Sequence, residues 1–160
     1  MGEKIMDPQK VADRMRGLCS RREYCRQDIM KKVLAALGGD ADEAGRIMDR
    51  LVEEKYIDDL RYASAFARDK SSIAGWGATK IRYMLAAKGI DRETIAAALQ
   101  EVDEGKASDR LEKLLSGKVR SLKDDPQCRM KLLRFALGRG YQYDEAVEVI
   151  GRLLNERDWT

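Results

Sequence analysis

Three glycines recur at nearly constant spacing in this 160-residue chain: Gly39, Gly89 and Gly140, 50 and 51 residues apart. Each follows a run of helically spaced apolar residues, where glycine readily takes the left-handed conformation that ends a helix. After the last two, GIDRETIAAAL and GYQYDEAVEVI align without gaps. Such a period predicts a divergent tandem repeat. A unit of about fifty residues buries little surface alone, so neighbouring units share a core.

The apolar stripes place three helices in each unit. The first unit has Val11, Met15, Leu18 and Cys19, then Ile29, Met30, Val33, Leu34 and Leu37, then Ile47, Met48, Leu51 and Val52. The second has Tyr62, Phe66 and Ile73, then Ile81, Met84 and Leu85, then Ile95, Ala98, Leu99 and Val102. The third has Leu111, Leu115, Val119 and Leu122, then Met130, Leu133 and Leu137, then Ala146, Val147, Ile150, Leu153 and Leu154. No run alternates with the period of a strand, and only two prolines interrupt the chain, so the predicted class is all-α. Predicted repeats span 1–56, 57–103 and 104–160. Asp7-Pro8 and Asp125-Pro126 read as helix caps followed by proline at the first helical position, and Asp58 and Asp91 as further caps.

Several function classes lack their parts. The chain has no histidine, and Cys19, Cys25 and Cys128 have no metal-ligand spacing, so they read as free thiols with neither zinc nor disulfides. GWGATK, residues 75–80, has the wrong glycine-lysine spacing for a phosphate loop and follows a helix rather than a strand. Asp58 and Asp59 diverge by roughly 100° on a helix, which suits capping better than sharing a metal or proton. No nucleophile sits in a recognisable catalytic setting. The expectation is a protein without catalysis, cofactor or metal. The polar start MGEKIMDPQK and the lack of a long apolar run predict a soluble, cytoplasmic protein without membrane contact.

The formal net charge of +3 is too small to mark a nucleic-acid binder by itself, but the charges are sorted. Residues 21–37 carry five bases against two acids; 70–90 and 126–142 each carry four bases and no acid. The third helices invert the sign: six acids against two bases in 40–54, five against one in 91–104, and five against two in 143–158. One explanation is a solvated, salt-bridged surface with acids near helix N-termini. The other is a shallow basic stripe that meets a polyanion or a repeating protein surface.

The stretches EEKYIDDLRYASAFARDK and GWGATKIRYMLAAKGI resemble the RecX family, regulators of the RecA recombinase. The matching residues are Tyr56, Ile57, Asp58, Asp59, Arg61, Tyr62, Ala63 and Phe66, then Gly75-Trp76-Gly77, Ile81, Leu85 and Lys88-Gly89-Ile90. RREYCRQDIMKKVLAAL, residues 21–37, is similar to the family's Arg-x-x-Ser-x-x-Glu-Leu helix, with Cys25 in place of Ser and Asp28-Ile29 in place of Glu-Leu; Ala78 stands where many members have Pro. The resemblance implies an elongated, curved, all-α array of three tandem three-helix repeats. It implies binding to RecA and its filament on single-stranded DNA, along the filament groove. That binding restrains ATP hydrolysis and strand exchange, in the setting of DNA recombination, repair and the SOS response. It suits a monomer with at most weak direct DNA contact.

The residues proposed to meet the filament are Arg61, Arg68, Lys70, Trp76, Lys80, Arg82 and Lys88 in the middle unit. Arg26, Lys31 and Lys32 join them from the first unit, and Arg129 and Arg134 from the third. Gly75 and Gly77 read as a sharp turn between helices. Trp76 reads as packing that closes the helix pair below it or as an interface anchor. The alternative is a free-standing helix-turn-helix-like DNA binder, although the second helices offer scattered Lys and Arg rather than a grouped base-reading face.

Overall fold

The computed structural model describes residues 6–102 and 104–158. Among them are nine helices and no strand: α1 (Pro8–Arg21), α2 (Arg26–Ala36), α3 (Ala41–Glu53), α4 (Asp59–Ser72), α5 (Ala78–Ala87), α6 (Arg92–Gln100), α7 (Glu104–Ser121), α8 (Cys128–Gly138) and α9 (Tyr143–Asp158). Residues 1–5 of the polar start, Asp103, and the side chains of Glu104, Glu156, Arg157 and Asp158 counted in the charge pattern lie outside the described residues.

The chain forms two compact units, Met1–Ala63 with Leu85–Ile95, and Ser64–Met84 with Ala96–Thr160; the division runs through α4, α5 and α6. In the first unit, Val11 and Met15 of α1, Ile29 and Val33 of α2, and Ile47, Met48 and Leu51 of α3 form one core, closed by Ile57. In the second, Leu111 and Leu115 of α7, Leu132 and Ala136 of α8, and Val149 and Ile150 of α9 form another, with Tyr141. Each fully buried Leu, Ile or Met contributes roughly 1.5–3 kcal/mol relative to exposure.

Two stripes differ most from expectation, and Val52 of α3 and Val147 of α9 also leave theirs, each 38% exposed. α8 buries Cys128, Leu132 and Ala136, while Met130 and Leu137 are exposed and Leu133 is half-buried. The helix carries apolar residues on two faces, and packing selects the smaller set. Ile73 lies beyond the end of α4 and is 82% exposed, so it leaves the Tyr62–Phe66 stripe.

The caps follow the sequence with one exception. The Asp7 carboxylate accepts the Gln9 N–H, Asp58 that of Arg61, and Asp91 that of Thr94. α8, however, begins at Cys128 rather than at Pro126. Asp125 instead accepts the Gln127 N–H across a short turn and pairs with Lys131, leaving Pro126 outside the helix. The expected glycine corners are present, with φ of +90° at Gly39, +76° at Gly89 and +94° at Gly140.

Candidate partner-binding site

The most distinctive cluster lies in the second unit, where the chain leaves α4 and enters α5. The Trp76 N–H donates to the Lys70 carbonyl at 2.8 Å, while Gly75 turns the chain with φ +70°. This sets the half-buried indole beside two ammonium groups. Lys80 Nζ is 4.3 Å and Lys70 Nζ 4.9 Å from the ring centroid, and the Phe66 ring meets the indole edge-on at 6.2 Å. Each exposed cation–π contact contributes about 0.5–1 kcal/mol. Their larger consequence is placement, because two long cationic side chains are held beside an aromatic surface. A groove of 310 Å³ adjoins the indole, and Arg82 and Glu145 are among its walls.

Gly77 is required here by close approach rather than by a turn. Its N–H donates to the Arg139 carbonyl at 2.8 Å, and the Thr79 N–H to the Gly140 carbonyl at 3.0 Å. A Cβ on Gly77 would stand 2.5 Å from the Gly140 oxygen. Those N–H groups at the start of α5 are the ones an anion would use, and carbonyls already occupy them. The same corner holds the loop before Trp76. Arg139 Nη1 donates to the Ala74 carbonyl at 3.1 Å, and the Tyr141 hydroxyl to that of Gly75 at 3.0 Å. Tyr141 is 2% exposed, and burial pushes its phenol pKa up.

Of the other proposed site residues in this unit, Arg68 is paired with Glu101 at 2.8 Å, and Arg129 and Arg134 are exposed on α8. In the first unit, Lys31 and Lys32 are exposed on α2, and Arg26 makes a long 3.8 Å contact with Asp49. Arg61 and Lys88 serve internal contacts. Arg61 bonds Glu23 through Nε at 2.8 Å and the carbonyls of Lys55 and Tyr56 through Nη2. Lys88, unopposed within its own segment, meets Asp28 of α2 at 3.0 Å. Sequence reasoning missed the holding role of Arg139 and Tyr141. The signal was present, since the gapless alignment puts Tyr141 at the position of Ile90, itself 4% exposed.

The aspartate pair separates as its angular spacing requires. Asp58 caps its own α4, whereas Asp59 accepts the Arg26 N–H at 2.8 Å and so caps α2. This compensates for Cys25, which occupies the α2 N-cap position without a side-chain capping bond. All three cysteines are free; Cys25 and Cys128 are buried, and burial pushes the thiol pKa values of Cys19 and Cys25 up, away from reactivity. Among the described residues no group of three or more Cys, Asp or Glu side chains could hold a metal ion, and no helix is long and apolar enough to cross a membrane.

Fold and cluster together define an all-α protein whose helix corners recur at regular spacing and whose clearest surface feature is an aromatic ring flanked by cations. The family described as RecX, second three-helix domain, matches residues 58–99. A regulatory protein RecX of Pseudomonas entomophila is 34% identical, covering 99% of this chain and 98% of its own. One from Mycolicibacterium smegmatis is 31% identical over 98% of this chain and 89% of its own. The crystal structure of RecX from Lactobacillus salivarius superposes with a TM-score of 0.81 at 21% identity, covering 96% of this chain and 97% of that one. The chain belongs to the RecX family, whose matched members are named as regulatory proteins rather than enzymes.

Proposed function

We propose that this protein binds the RecA recombinase, chiefly as its filament on single-stranded DNA, and restrains its ATP hydrolysis and strand exchange. In this reading it acts in the cytoplasm as a monomer, without catalysis of its own. Its three-helix repeats are 1–56, 57–103 and 104–160, and direct contact with DNA is weak. The observation that carries the reading is the Trp76 indole with Lys70 and Lys80 both over its ring, inside the segment that matches the family. An aromatic flanked by cations suits a partner surface rich in carboxylate or phosphate. With Lys70 and Lys80 go exposed Arg82 and, on the other basic helices, Lys31, Lys32, Arg129 and Arg134. Arg61, Arg68 and Lys88 are better placed to support the fold.

The test is RecA's DNA-dependent ATPase with increasing amounts of the protein. Wild type lowers the rate, and the triple change Lys70→Glu, Lys80→Glu and Arg82→Glu loses most of that effect while the helical spectrum stays intact. Glu93→Lys, on the acidic α6, leaves it in place. An ATPase rate unmoved by wild type at any ratio sinks the proposal. Tight, salt-dependent binding to bare DNA, equal to that on RecA-coated DNA, favours the helix-turn-helix-like alternative.

A further inference from the structure

We propose that a second surface, the groove between the end of α4 and α7 in the second unit, binds an acidic peptide segment that carries an apolar side chain beside its carboxylates. The groove has a volume of 450 Å³ and is lined by Ile73, Ala74 and Gly75 on one side and by Arg110, Lys113 and Leu114 on the other. Ile73, at 82% exposed, is the most solvated of the large apolar side chains described. Leu114 closes against Gly75, where a Cβ would come within 3.1 Å of its methyl group, so the floor is apolar and firmly packed.

The charged side chains that line the groove, Arg110 and Lys113, are both bases. Lys106, Arg110 and Lys113 recur at i, i+4 and i+7, which puts them on one face of α7. Exposed Asp109 shares that face, four residues before Lys113, so three bases stand there against one acid, while Glu112 lies toward Arg152 of α9 at 3.9 Å. Arg110 lines the groove, and its buried Nη1 has no hydrogen-bond partner among the described residues. A buried guanidinium N–H without an acceptor is an exception in folded proteins. Its planar fork matches a carboxylate, and an apolar side chain next to that carboxylate would cover Ile73 and Leu114. The groove lining holds no aromatic ring on which a base could stack, which favours peptide over single-stranded nucleic acid. The inference does not rest on the RecA reading, because it concerns different residues and a ligand that can be presented alone.

The experiment uses the full-length protein and a fluorescein-labelled hexapeptide of alternating Glu and Leu, followed by anisotropy without RecA or DNA. The expected result is saturable binding with Kd below about 1 mM. Ile73→Asp and Lys113→Glu, both exposed changes, each weaken it at least about tenfold, as does replacing every Glu of the peptide by Gln. Lys80→Glu leaves it unchanged, which separates this groove from the Trp76 cluster. Arg110→Gln also weakens it, but the first two variants decide the matter if that one unfolds. No saturation, or equal affinity for Ile73→Asp, overturns the proposal. A labelled oligothymidylate that binds more tightly and is sensitive to Lys113→Glu assigns the groove to nucleic acid instead. Concentration-dependent dimerisation abolished by Ile73→Asp assigns it to a second copy of the chain. Either outcome also overturns the proposal.

Discussion

At the corner that ends α5, in the first unit, Gly89 lies against the start of α2; at the corner that ends α8, in the second, Gly140 lies against the start of α5. The positions correspond. Asp28 and Lys80 are each the third residue of the helix that receives the corner, and Lys88 and Arg139 each precede the glycine. The chemistry does not correspond. Asp28 and Lys88 form an ion pair, and Gly89 meets only the flexible Gln27 side chain, 3.1 Å from a would-be Cβ. At the second corner the two residues are both cations, and backbone meets backbone through the N–H groups of Gly77 and Thr79. Lys80, with no acid opposite, lies over Trp76, and Arg139 turns to the Ala74 carbonyl and the Phe135 ring. One packing geometry is thus held by side-chain charge in one place and by glycine contact in the other. The second arrangement leaves a lysine available to a partner.

The sharpest test of that contrast is alanine at the glycines. Gly140→Ala combines a left-handed residue with collision against the Lys80 backbone, and should cost about 3 kcal/mol or more. Gly77→Ala, which meets only the collision, should cost about 1–3 kcal/mol. Gly89→Ala should cost about 1–2 kcal/mol, the left-handed penalty alone, because Gln27 can swing aside. Gly39→Ala, with nothing within 4 Å of its Cβ, should match Gly89→Ala. Urea midpoints measure all four. If Gly89→Ala proves as harmful as Gly140→Ala, the two corners are equally tight and the contrast fails.

The next effect concerns the loop that the second corner supports. Trp76 is half-buried, so Trp76→Ala should cost about 2 kcal/mol, below the 3–5 of a core Trp. Tyr141→Phe removes the donor to the Gly75 carbonyl and should cost about 1–2 kcal/mol. It should also loosen the indole, read as a red shift and easier quenching of Trp76 fluorescence, with Trp159→Phe in the background to leave one emitter. Unchanged emission in Tyr141→Phe means that the corner does not set the indole position.

What could be read from the sequence was what local chemistry decides. Helix stripes, the corners at Gly39, Gly89 and Gly140, and the caps at Asp7, Asp58 and Asp91 depend on residues within one or two turns. Features that depend on distant partners were hidden. Gly77 looks like a turn residue until the Gly140 carbonyl is beside it, Asp59 looks like a second cap for α4 until it reaches Arg26, and Lys88 looks free until Asp28 meets it. Trp76, Lys70 and Lys80 were identifiable as candidates. Their convergence on one ring was not, because it depends on where Gly75 turns the chain.

The smallest expected effect belongs to the Asp28–Lys88 pair. Burial pushes the Asp28 carboxyl up, but the hydrogen bond and charge of Lys88, with help from the Cys25 thiol and Lys31, outweigh it and hold the group below its usual range. The hydrogen bond to Asp28 raises the Lys88 ammonium in return. The Asp28 contribution is therefore present above its unfolded value, near pH 4, and is lost as pH falls through the folded value. The Lys88 contribution is present below its unfolded value, near pH 10, and is lost as pH rises through the folded one. Between those limits the coupling is flat. Lys88 is 38% exposed, so water screens the pair and the coupling is below about 1 kcal/mol. A double-mutant cycle with Asp28→Asn and Lys88→Met, read by urea unfolding near neutral pH and again near pH 3, isolates it from other titrations. The coupling should be measurable at neutral pH and smaller in acid. Equal coupling at both values would mean that Gln27 and the Gly89 backbone, rather than the charges, hold the first corner, and the chemical difference between the two corners would disappear.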